Sequence, residues 1–409
     1  MKYGLIGEVL KHSFSKEIHS LIADYDYKLN EVKKDDLDAF MKAKDFLGIN
    51  VTIPYKERIV NYIDKLDESA KLIGAVNTIV NRNGSLYGYN TDFYGLKSLI
   101  LKQKVDLSDK TVAVLGTGGT SKTAKAVLKS LSAKKIVIVS RSKCDGAITY
   151  DDLYKMASEI DVVVNTTPVG MYPNVDASPI EVKKFASLKL IIDVVYNPIR
   201  TKLVSDAIKL GIKAEGGLYM LVAQAVKGSE IFLGEDKDAL LDETFEKILN
   251  QKQNVVLTGM PASGKTTIGK ILANALGREF VDTDDLIANK ANKPITQIFE
   301  SDGEQVFRSI ETEVIKEVSL KTGLVIATGG GAILNEENVK ALKQNGKIFF
   351  IDRPLESLIP TADRPTANTK EQITKRYNER YSLYVDTADE VVDGSGTADE
   401  VAYEILRRI

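Results

Sequence analysis

One short stretch predicts a fold by itself: Asn254-Val-Val-Leu-Thr-Gly259-Met-Pro-Ala-Ser-Gly264-Lys265-Thr266-Thr267. An apolar strand runs into Gly-x-x-x-x-Gly-Lys-Thr, and a helix follows that should open at Thr267. In such a loop, backbone N–H groups turn toward phosphate oxygens, and the helix presents its positive end to them. Lys265 can reach the β- and γ-phosphates, and the Thr266 hydroxyl can ligate Mg²⁺. The alternative, a glycine-rich turn that binds nothing, is disfavoured by the flanking strand and helix.

The bulk composition narrows the class of protein. A chain of 409 residues is too long for one ordinary core, so two or three domains are expected. A formal net charge of −2 provides no basic field for nucleic acid or an anionic membrane, and the single Cys144 cannot form an internal disulfide. His12 and His19 are the only histidines, which excludes a multi-histidine metal site. Without a membrane-length apolar run or a signal peptide, we expect a cytoplasmic protein.

Upstream of the loop, strand-like and helix-like segments alternate, which predicts an α/β domain with a largely parallel sheet. The predicted strands are 2–7, 27–32 and 46–53, and the predicted helices are 15–23 and 37–43. Asn83-Gly84 between two short apolar runs predicts a hairpin. The helix that follows should be capped by Thr91 or Asp92.

A second α/β unit begins near residue 107. The predicted strand 111–115, the turn Gly116-Thr117-Gly118-Gly119, the helix 121–132 and the strand 135–139 form a βαβ crossover typical of dinucleotide binding. Strands 161–165 and 190–194 and helices 201–210 and 218–232 follow. After the second strand of the crossover, NAD would require an acidic residue, whereas this chain has Arg141, which suits the 2′-phosphate of NADP. The alternative for Arg141 is an exposed basic turn.

These patterns predict four segments. Residues 1–101, with the return of helix 218–235, form a substrate domain, and residues 102–217 form a Rossmann-type nucleotide domain. Residues 236–252 form a helix and polar linker, and residues 253–409 form a P-loop α/β domain with a parallel sheet.

The first half, roughly residues 1–240, resembles shikimate dehydrogenase by the joint order of its motifs. The matching pieces are His12-Ser13-Phe14-Ser15, Asn50-Val51-Thr52-Ile53-Pro54-Tyr55-Lys56, Gly74-Ala75-Val76-Asn77-Thr78, Gly88-Tyr89-Asn90-Thr91-Asp92 and Gly216-Gly217-Leu218-Tyr219 with Gln224. The resemblance implies NADPH-dependent reduction of 3-dehydroshikimate to shikimate. It assigns Lys56 and Asp92 as the catalytic pair. A lysine ammonium can both stabilise the developing alkoxide and protonate it.

The same resemblance implies the binding residues. Substrate would be held by Ser13, Ser15, Thr52, Asn77, Tyr196 and Gln224, together with the catalytic pair. NADP would be held by Gly116, Thr117, Gly118, Gly119, Thr120, Ser140, Arg141, Ser142, Val194 and Gly217. Relatives that accept quinate or NAD leave both alternatives open.

Residues 253–409 resemble shikimate kinase. Beside the loop stand Asp282-Thr283-Asp284, Arg308, Thr328-Gly329-Gly330-Gly331-Ala332, Arg364-Pro365 and Arg380. The resemblance implies that Thr266 and Asp282 hold Mg²⁺ and that Asp284 binds and orients the shikimate hydroxyls. The acceptor would be bound by Asp284, Arg308, Gly329, Gly330, Gly331 and Arg380. ATP would be bound by Pro261, Ala262, Ser263, Gly264, Lys265, Thr266, Thr267 and Arg364. Lys265 and Asp284 would be the catalytic residues.

Two functions remain open for this second half. The first is phosphorylation of shikimate at the hydroxyl that the first half creates, which makes the chain a bifunctional enzyme. The second is a nucleotide-binding regulatory module, because the lid stretch Leu358-Ile359-Pro360-Thr361 lacks an arginine that the family usually carries before Arg364. Whether shikimate is channelled and what oligomer forms cannot be read from the sequence.

Overall fold

Both halves of the chain are built on β-sheets whose strands are rich in buried, β-branched residues. The computed structural model describes residues 2–10, 13–359 and 369–409, so His12, Arg364 and the lid residues Pro360 and Thr361 lie outside the described residues. The chain divides into two units, Met1–Ile248 (unit 1) and Leu249–Ile409 (unit 2). Within the described residues, no helix is long and apolar enough to cross a membrane.

The first sheet of unit 1 is mixed. Its elements are β1 (Tyr3–Gly7), α1 (Ser15–Ile22), β2 (Tyr27–Glu31), α2 (Leu37–Ala43), β3 (Gly48–Val51), β4 (Lys65–Leu66), α3 (Glu68–Ile73), β5 (Thr78–Arg82), β6 (Ser85–Tyr89) and α4 (Thr91–Lys102). The strand order is β2-β1-β3-β5-β6-β4, with β1, β2 and β3 parallel and β5 antiparallel to both neighbours. The predicted hairpin is confirmed, since Asn83 and Gly84 both adopt positive φ between β5 and β6.

The predicted cap of α4 is wrong. The helix already begins at Thr91, with Asn90 as N-cap and no side-chain cap hydrogen bond. The side chains of Thr91 and Asp92 are instead hydrogen-bonded to Asn77. Asn77, which is distant in sequence, therefore binds the two side chains that were expected to cap the helix.

The second sheet of unit 1 is entirely parallel. Its elements are β7 (Thr111–Leu115), α5 (Gly119–Ser130), β8 (Lys135–Ser140), β9 (Ile148–Thr149), α6 (Tyr150–Lys155), β10 (Val162–Asn165), β11 (Leu190–Asp193), α7 (Lys202–Lys209) and β12 (Lys213–Glu215). The order β12-β11-β10-β7-β8-β9 is that of a Rossmann-type sheet, with the crevice where β7 meets β10. The buried strand residues and α7 form one continuous core on this sheet.

Two helices complete unit 1. Helix α8 (Leu218–Leu233) leaves the second sheet and packs against α4, α1 and β5. The close approach requires Gly95, where an added Cβ would lie 2.6 Å from the carbonyl oxygen of Met220. Helix α9 (Leu241–Lys252) crosses the boundary between the units, and its Phe245 ring lies 5.1 Å from the ring of Tyr219. Only Gln253 separates α9 from the next strand.

Unit 2 is a parallel five-stranded sheet flanked by helices. Its elements are β13 (Asn254–Thr258), α10 (Lys265–Leu276), β14 (Phe280–Asp282), α11 (Thr283–Ala291), α12 (Ile295–Ser301), α13 (Glu304–Ser319), β15 (Val325–Ala327), α14 (Glu336–Asn345), β16 (Gly346–Asp352), α15 (Lys370–Thr387), β17 (Glu390–Asp393) and α16 (Ala398–Leu406). The strand order is β14-β15-β13-β16-β17. Helix α10 begins at Lys265, two residues before the predicted start, because Gly264 with φ 92° ends the loop.

One histidine is buried in the first sheet's aromatic cluster. His19 is fully buried, its Nδ1 lies 2.6 Å from the Tyr25 hydroxyl, and its ring stacks on Tyr27 at 3.9 Å. Burial lowers the pKa of His19 to about 3. Between about pH 3 and about pH 6.5, His19 is protonated in the unfolded chain but neutral in the folded chain. Lowering the pH through this range therefore favours unfolding.

We predict that His19 removes about 2 kcal/mol from the free energy of unfolding of unit 1 between pH 7.5 and pH 5. His19→Gln should lower stability at pH 7.5 but weaken its fall toward pH 5, measured by urea denaturation. Between pH 7.5 and 8.5 the histidine is neutral in both states, so variant and wild type should show the same small change. An equal fall toward pH 5 in both proteins would contradict the prediction.

Candidate active sites

Unit 1 contains a cavity of about 490 Å³ at the carboxyl ends of strands from both of its sheets. Its walls come from the segments after β1, β3, β10 and β11 and from the first turns of α4 and α8. All eight residues predicted to hold the dehydrogenase substrate line it: Ser13, Ser15, Thr52, Lys56, Asn77, Asp92, Tyr196 and Gln224. The structure therefore brings together residues that are up to two hundred positions apart in the chain.

The predicted catalytic pair is in direct contact. Lys56 Nζ donates to Asp92 Oδ2 at 2.6 Å, and Asn77 Nδ2 donates to Asp92 Oδ1 at 3.0 Å. The side chains of Lys56 and Asp92 are only 28% and 13% exposed, so solvent screens this ion pair weakly. Because both carboxylate oxygens of Asp92 are occupied, the ammonium is held at the cavity wall with donor protons free to meet a substrate oxygen.

Thr91 connects this pair to the rest of the wall, a role that the sequence reasoning missed. Its amide donates to Asn77 Oδ1 at 2.7 Å, and its hydroxyl donates to Gln224 Oε1 at 3.4 Å. Asn50, which also lines the cavity, donates to Thr78 Oγ1 at 2.9 Å and accepts from Tyr27 Oη at 2.7 Å. A continuous polar network thus fixes the amide orientations of this wall.

Further hydroxyl groups of the cavity come from the start of α1 and from the segment after β11. Ser13 Oγ donates to Ser15 Oγ at 3.1 Å and accepts from the Ser15 amide at 3.2 Å, just before α1 begins. Tyr196 follows β11 and packs edge-on against the Phe14 ring at 5.4 Å. Ser13, Ser15 and Tyr196 line the same cavity as Lys56, so their hydroxyl groups can hydrogen-bond a small polyhydroxylated acid.

The residues predicted for NADP lie along the carboxyl edge of the second sheet. Gly116 has φ 110°, and an added Cβ would lie 2.9 Å from Thr166 Oγ1. Gly118, the N-cap of α5, has open space around it and no side-chain cap, so the first-turn N–H groups of the helix fit a phosphate. Thr120, Val194 and Gly217 line the cavity, whereas Ser140 ends β8 and the exposed Arg141 and Ser142 follow it.

In unit 2, the phosphate loop is already arranged around an inward-pointing lysine. Lys265 is buried and donates to the carbonyl oxygens of Gly259 and Met260 at 3.0 and 2.9 Å. Thr266 Oγ1 donates to Asp282 Oδ2 at 2.8 Å, which places a hydroxyl and a carboxylate side by side. Oxygen donors of this kind fit Mg²⁺. Pro261, Ala262, Ser263, Gly264 and Thr267 complete the loop and the first turn of α10.

The glycine turn after β15 meets all three side chains predicted to bind the acceptor. An added Cβ at Gly329 would lie 2.6 Å from Asp284 Oδ1, and one at Gly331 would lie within 2.4 Å of Arg308. Arg380 Nη1 donates to the carbonyl oxygen of Gly330 at 2.9 Å. The turn therefore has to be glycine for these groups to converge.

Sequence reasoning missed Glu311, which holds Arg308 in place. Its Oε2 accepts from Arg308 Nη1 at 2.8 Å, and burial raises the pKa of Glu311. The signal was present, because an acid three residues after an arginine on a helix faces it. Arg364, predicted to meet ATP phosphates, lies outside the described residues.

Comparison with known proteins now assigns the chain. Residues 5–79 match the family model described as shikimate dehydrogenase substrate binding domain. A shikimate dehydrogenase (NADP(+)) from Clostridium perfringens is 40% identical over 259 residues, 59% of this chain and 95% of the relative. The chain belongs to the shikimate dehydrogenase family. Residues 261–409 match the family model described as shikimate kinase, so the predicted combination of the two is confirmed.

Two solved structures support the same fold. Shikimate dehydrogenase 1 from Peptoclostridium difficile is 39% identical with a TM-score of 0.55, and the match covers 61% of this chain and 98% of that one. A chorismate mutase/shikimate 5-dehydrogenase fusion protein from Clostridium acetobutylicum is 36% identical with a TM-score of 0.57, covering 60% and 96%. The predicted α/β fold class, with parallel sheets and a C-terminal P-loop domain, is confirmed.

We predict that Gly217→Ala disrupts the cavity of the dehydrogenase half. The added Cβ would lie 2.1 Å from the carbonyl oxygen of Val194, which forces the start of α8 away from β11. The variant should lose about 1–3 kcal/mol of unfolding free energy. Gly118→Ala is the matched control, since nothing lies within 4 Å of its added Cβ, and its thermal unfolding should be unchanged. Equal melting temperatures for wild type and both variants would contradict the prediction.

Proposed function

We propose that this chain is a bifunctional enzyme that makes shikimate and then phosphorylates it. In unit 1, 3-dehydroshikimate is reduced to shikimate with NADPH. In unit 2, the γ-phosphoryl group of ATP is transferred to shikimate in the presence of Mg²⁺, giving shikimate 3-phosphate. The observation that carries the proposal is the convergence of the predicted side chains on one cavity in unit 1 and on one glycine turn in unit 2.

The contacts of Lys56 support its role as the proton donor. NADPH, when bound, supplies the hydride to the ketone carbon. Lys56 stabilises the oxygen that gains negative charge and donates a proton from Nζ to it. Asp92 holds Nζ at 2.6 Å, while Asn77 prevents the carboxylate from turning away.

In unit 2, the arrangement supports phosphoryl transfer by positioning and charge neutralisation. Lys265 would turn from the loop carbonyls to the phosphates, and Thr266 and Asp282 would hold the metal ion. Asp284 would orient the attacking hydroxyl. Arg308 and Arg380, which reach the glycine turn from α13 and α15, would hold the acceptor carboxylate.

A second candidate for unit 2 is a nucleotide-binding regulatory module without phosphoryl transfer. It is favoured by the sequence Leu358-Ile359-Pro360-Thr361, which lacks the arginine expected before Arg364. It is opposed by the complete acceptor set around the glycine turn, which a regulatory nucleotide site does not need.

We predict that the two activities separate by single substitutions in the full-length chain. Lys56→Ala should reduce ketone reduction by about 10²-fold or more and leave phosphorylation of supplied shikimate within about twofold. Lys265→Ala should do the reverse, because it removes the cation that meets the phosphates. Oxidation of NADPH and formation of shikimate 3-phosphate report the two steps.

Each variant is the matched control of the other, since each loses one lysine of a predicted site. Loss of both activities in either variant would contradict the assignment of one reaction to each unit. A wild-type chain that binds ATP without forming shikimate 3-phosphate would favour the regulatory module.

We further predict that Arg141→Asp shifts cofactor preference from NADPH toward NADH. The carboxylate would repel the 2′-phosphate and accept from a ribose hydroxyl, so the ratio of kcat/KM values should fall about tenfold or more. Lys134→Asp, an equal charge change at the amino end of β8, is the control and should leave the ratio unchanged. An unchanged ratio for Arg141→Asp would show that another group reads the phosphate. Replacing shikimate by quinate in the reverse reaction tests whether unit 1 also accepts quinate as a substrate.

A further inference from the structure

Helix α15 carries a second arginine for which the proposed function has no use. Arg376 precedes Arg380 by four residues, so both side chains lie on the same side of the helix. Arg380 is buried and donates to Gly330, whereas Arg376 is partly exposed. The side of α15 that carries these two arginines contacts the glycine turn, through the hydrogen bond from Arg380 to Gly330.

Helix α15 brings Arg376 beside the acceptor cluster, because Arg380, one helical turn further on, donates to the carbonyl oxygen of Gly330. Burial, and then the positive charges of Arg380 and Arg308, lower the pKa of Arg376, and the negative charges of Glu304 and Glu379 act against them. The charges that act on Arg376 thus include those of both arginines predicted to bind the acceptor.

The acids near Arg376 have other partners. Glu304 lies 3.1 Å from Arg308 Nη2, and Glu311 lies 2.8 Å from Arg308 Nη1. Glu379 lies 3.9 Å from Lys375, on the exposed side of the helix. Within residues 2–10, 13–359 and 369–409, Arg376 makes no ion pair or hydrogen bond.

Three guanidinium groups in one cluster repel one another, and like charges four residues apart on a helix destabilise it. A purely structural arginine would be expected to face an acid or a backbone carbonyl. An anion bound between the guanidinium groups would relieve the repulsion. Planar, forked donors suit a carboxylate in particular.

We propose that Arg376 is a third arginine of the acceptor site in unit 2, where it binds the carboxylate of the acceptor together with Arg308 and Arg380. It is a specificity-determining residue, since it favours acceptors that carry a carboxylate over neutral polyols. This proposal rests on the proposed function of unit 2 and deepens it by naming which group of the acceptor the extra cation reads.

The test uses the full-length chain without NADP, so that only the ATP-dependent step is measured. Arg376→Gln should raise KM for shikimate about tenfold, as expected for one charge-assisted hydrogen bond, with kcat and KM for ATP within about twofold. Arg376→Lys should recover part of the loss. Lys375→Gln is the matched control, because it removes the same charge from the next residue, whose side chain is 77% exposed, and its KM should not change.

Shikimate methyl ester separates recognition of the carboxylate from a structural effect. Since the ester carries no charge for Arg376 to read, wild type and Arg376→Gln should differ in KM for the ester by less than about twofold. Equal losses for acid and ester would overturn the proposal. A rise in KM for ATP alone would also overturn it and would assign Arg376 to the nucleotide.

Failure of the proposed function gives a different result. If the wild-type chain forms no shikimate 3-phosphate, equilibrium dialysis with labelled shikimate still decides the role of Arg376. Wild type should then bind two molecules per chain and Arg376→Gln only one at the same concentration. Unchanged binding would show that Arg376 does not contact the acid.

Discussion

A buried carboxylate needs a donor for each of its oxygens, and unit 1 is organised around that requirement at Asp92. One oxygen accepts from Lys56, which follows β3, and the other accepts from Asn77, which precedes β5. Asn77 is held in turn by the amide of Thr91. Three segments distant in sequence are therefore fixed at one point, and the cavity opens beside it. Loss of any member would leave another polar group buried without a partner, which costs more than the bond itself.

In unit 2, the corresponding constraint is steric. The glycine turn admits Arg308 and Asp284 only because it has no Cβ atoms, and Arg380 and Tyr384 both donate to the same carbonyl oxygen of Gly330. Arg308 is also held by Glu311, so its guanidinium is oriented before any ligand arrives. The conformational entropy of the Arg308 side chain is thus lost during folding and not on binding, which favours tight binding of a small acid.

The sequence predicted the elements that local signals specify. Alternating apolar strands, the glycine-rich turns at Gly116 and Gly259 and the Asn83-Gly84 hairpin each require only near neighbours in the chain. The groups it missed depend on distant partners: Asn50 reaches Tyr27, and Thr91 reaches Gln224 instead of capping its own helix. The roles of Lys265, Thr266 and Arg141 came from local motifs, whereas those of the substrate-binding residues came from family resemblance. The structure adds the hydrogen bonds that hold those residues, such as Asn77 to Asp92 and Arg308 to Glu311, which sequence spacing alone does not reveal.

The two sites would recognise the same acid by different physics. Lys56 and Asp92 are the only charged residues that line the cavity of unit 1 in the described part of the chain, and they neutralise each other. The acid is then met mainly by neutral hydroxyl and amide groups, whose hydrogen bonds to a carboxylate exchange readily with water. Unit 2 instead presents guanidinium groups, whose charge-assisted hydrogen bonds are about twice as strong. On the proposed function, the same acid would therefore be bound by neutral donors in unit 1 and by guanidinium groups in unit 2.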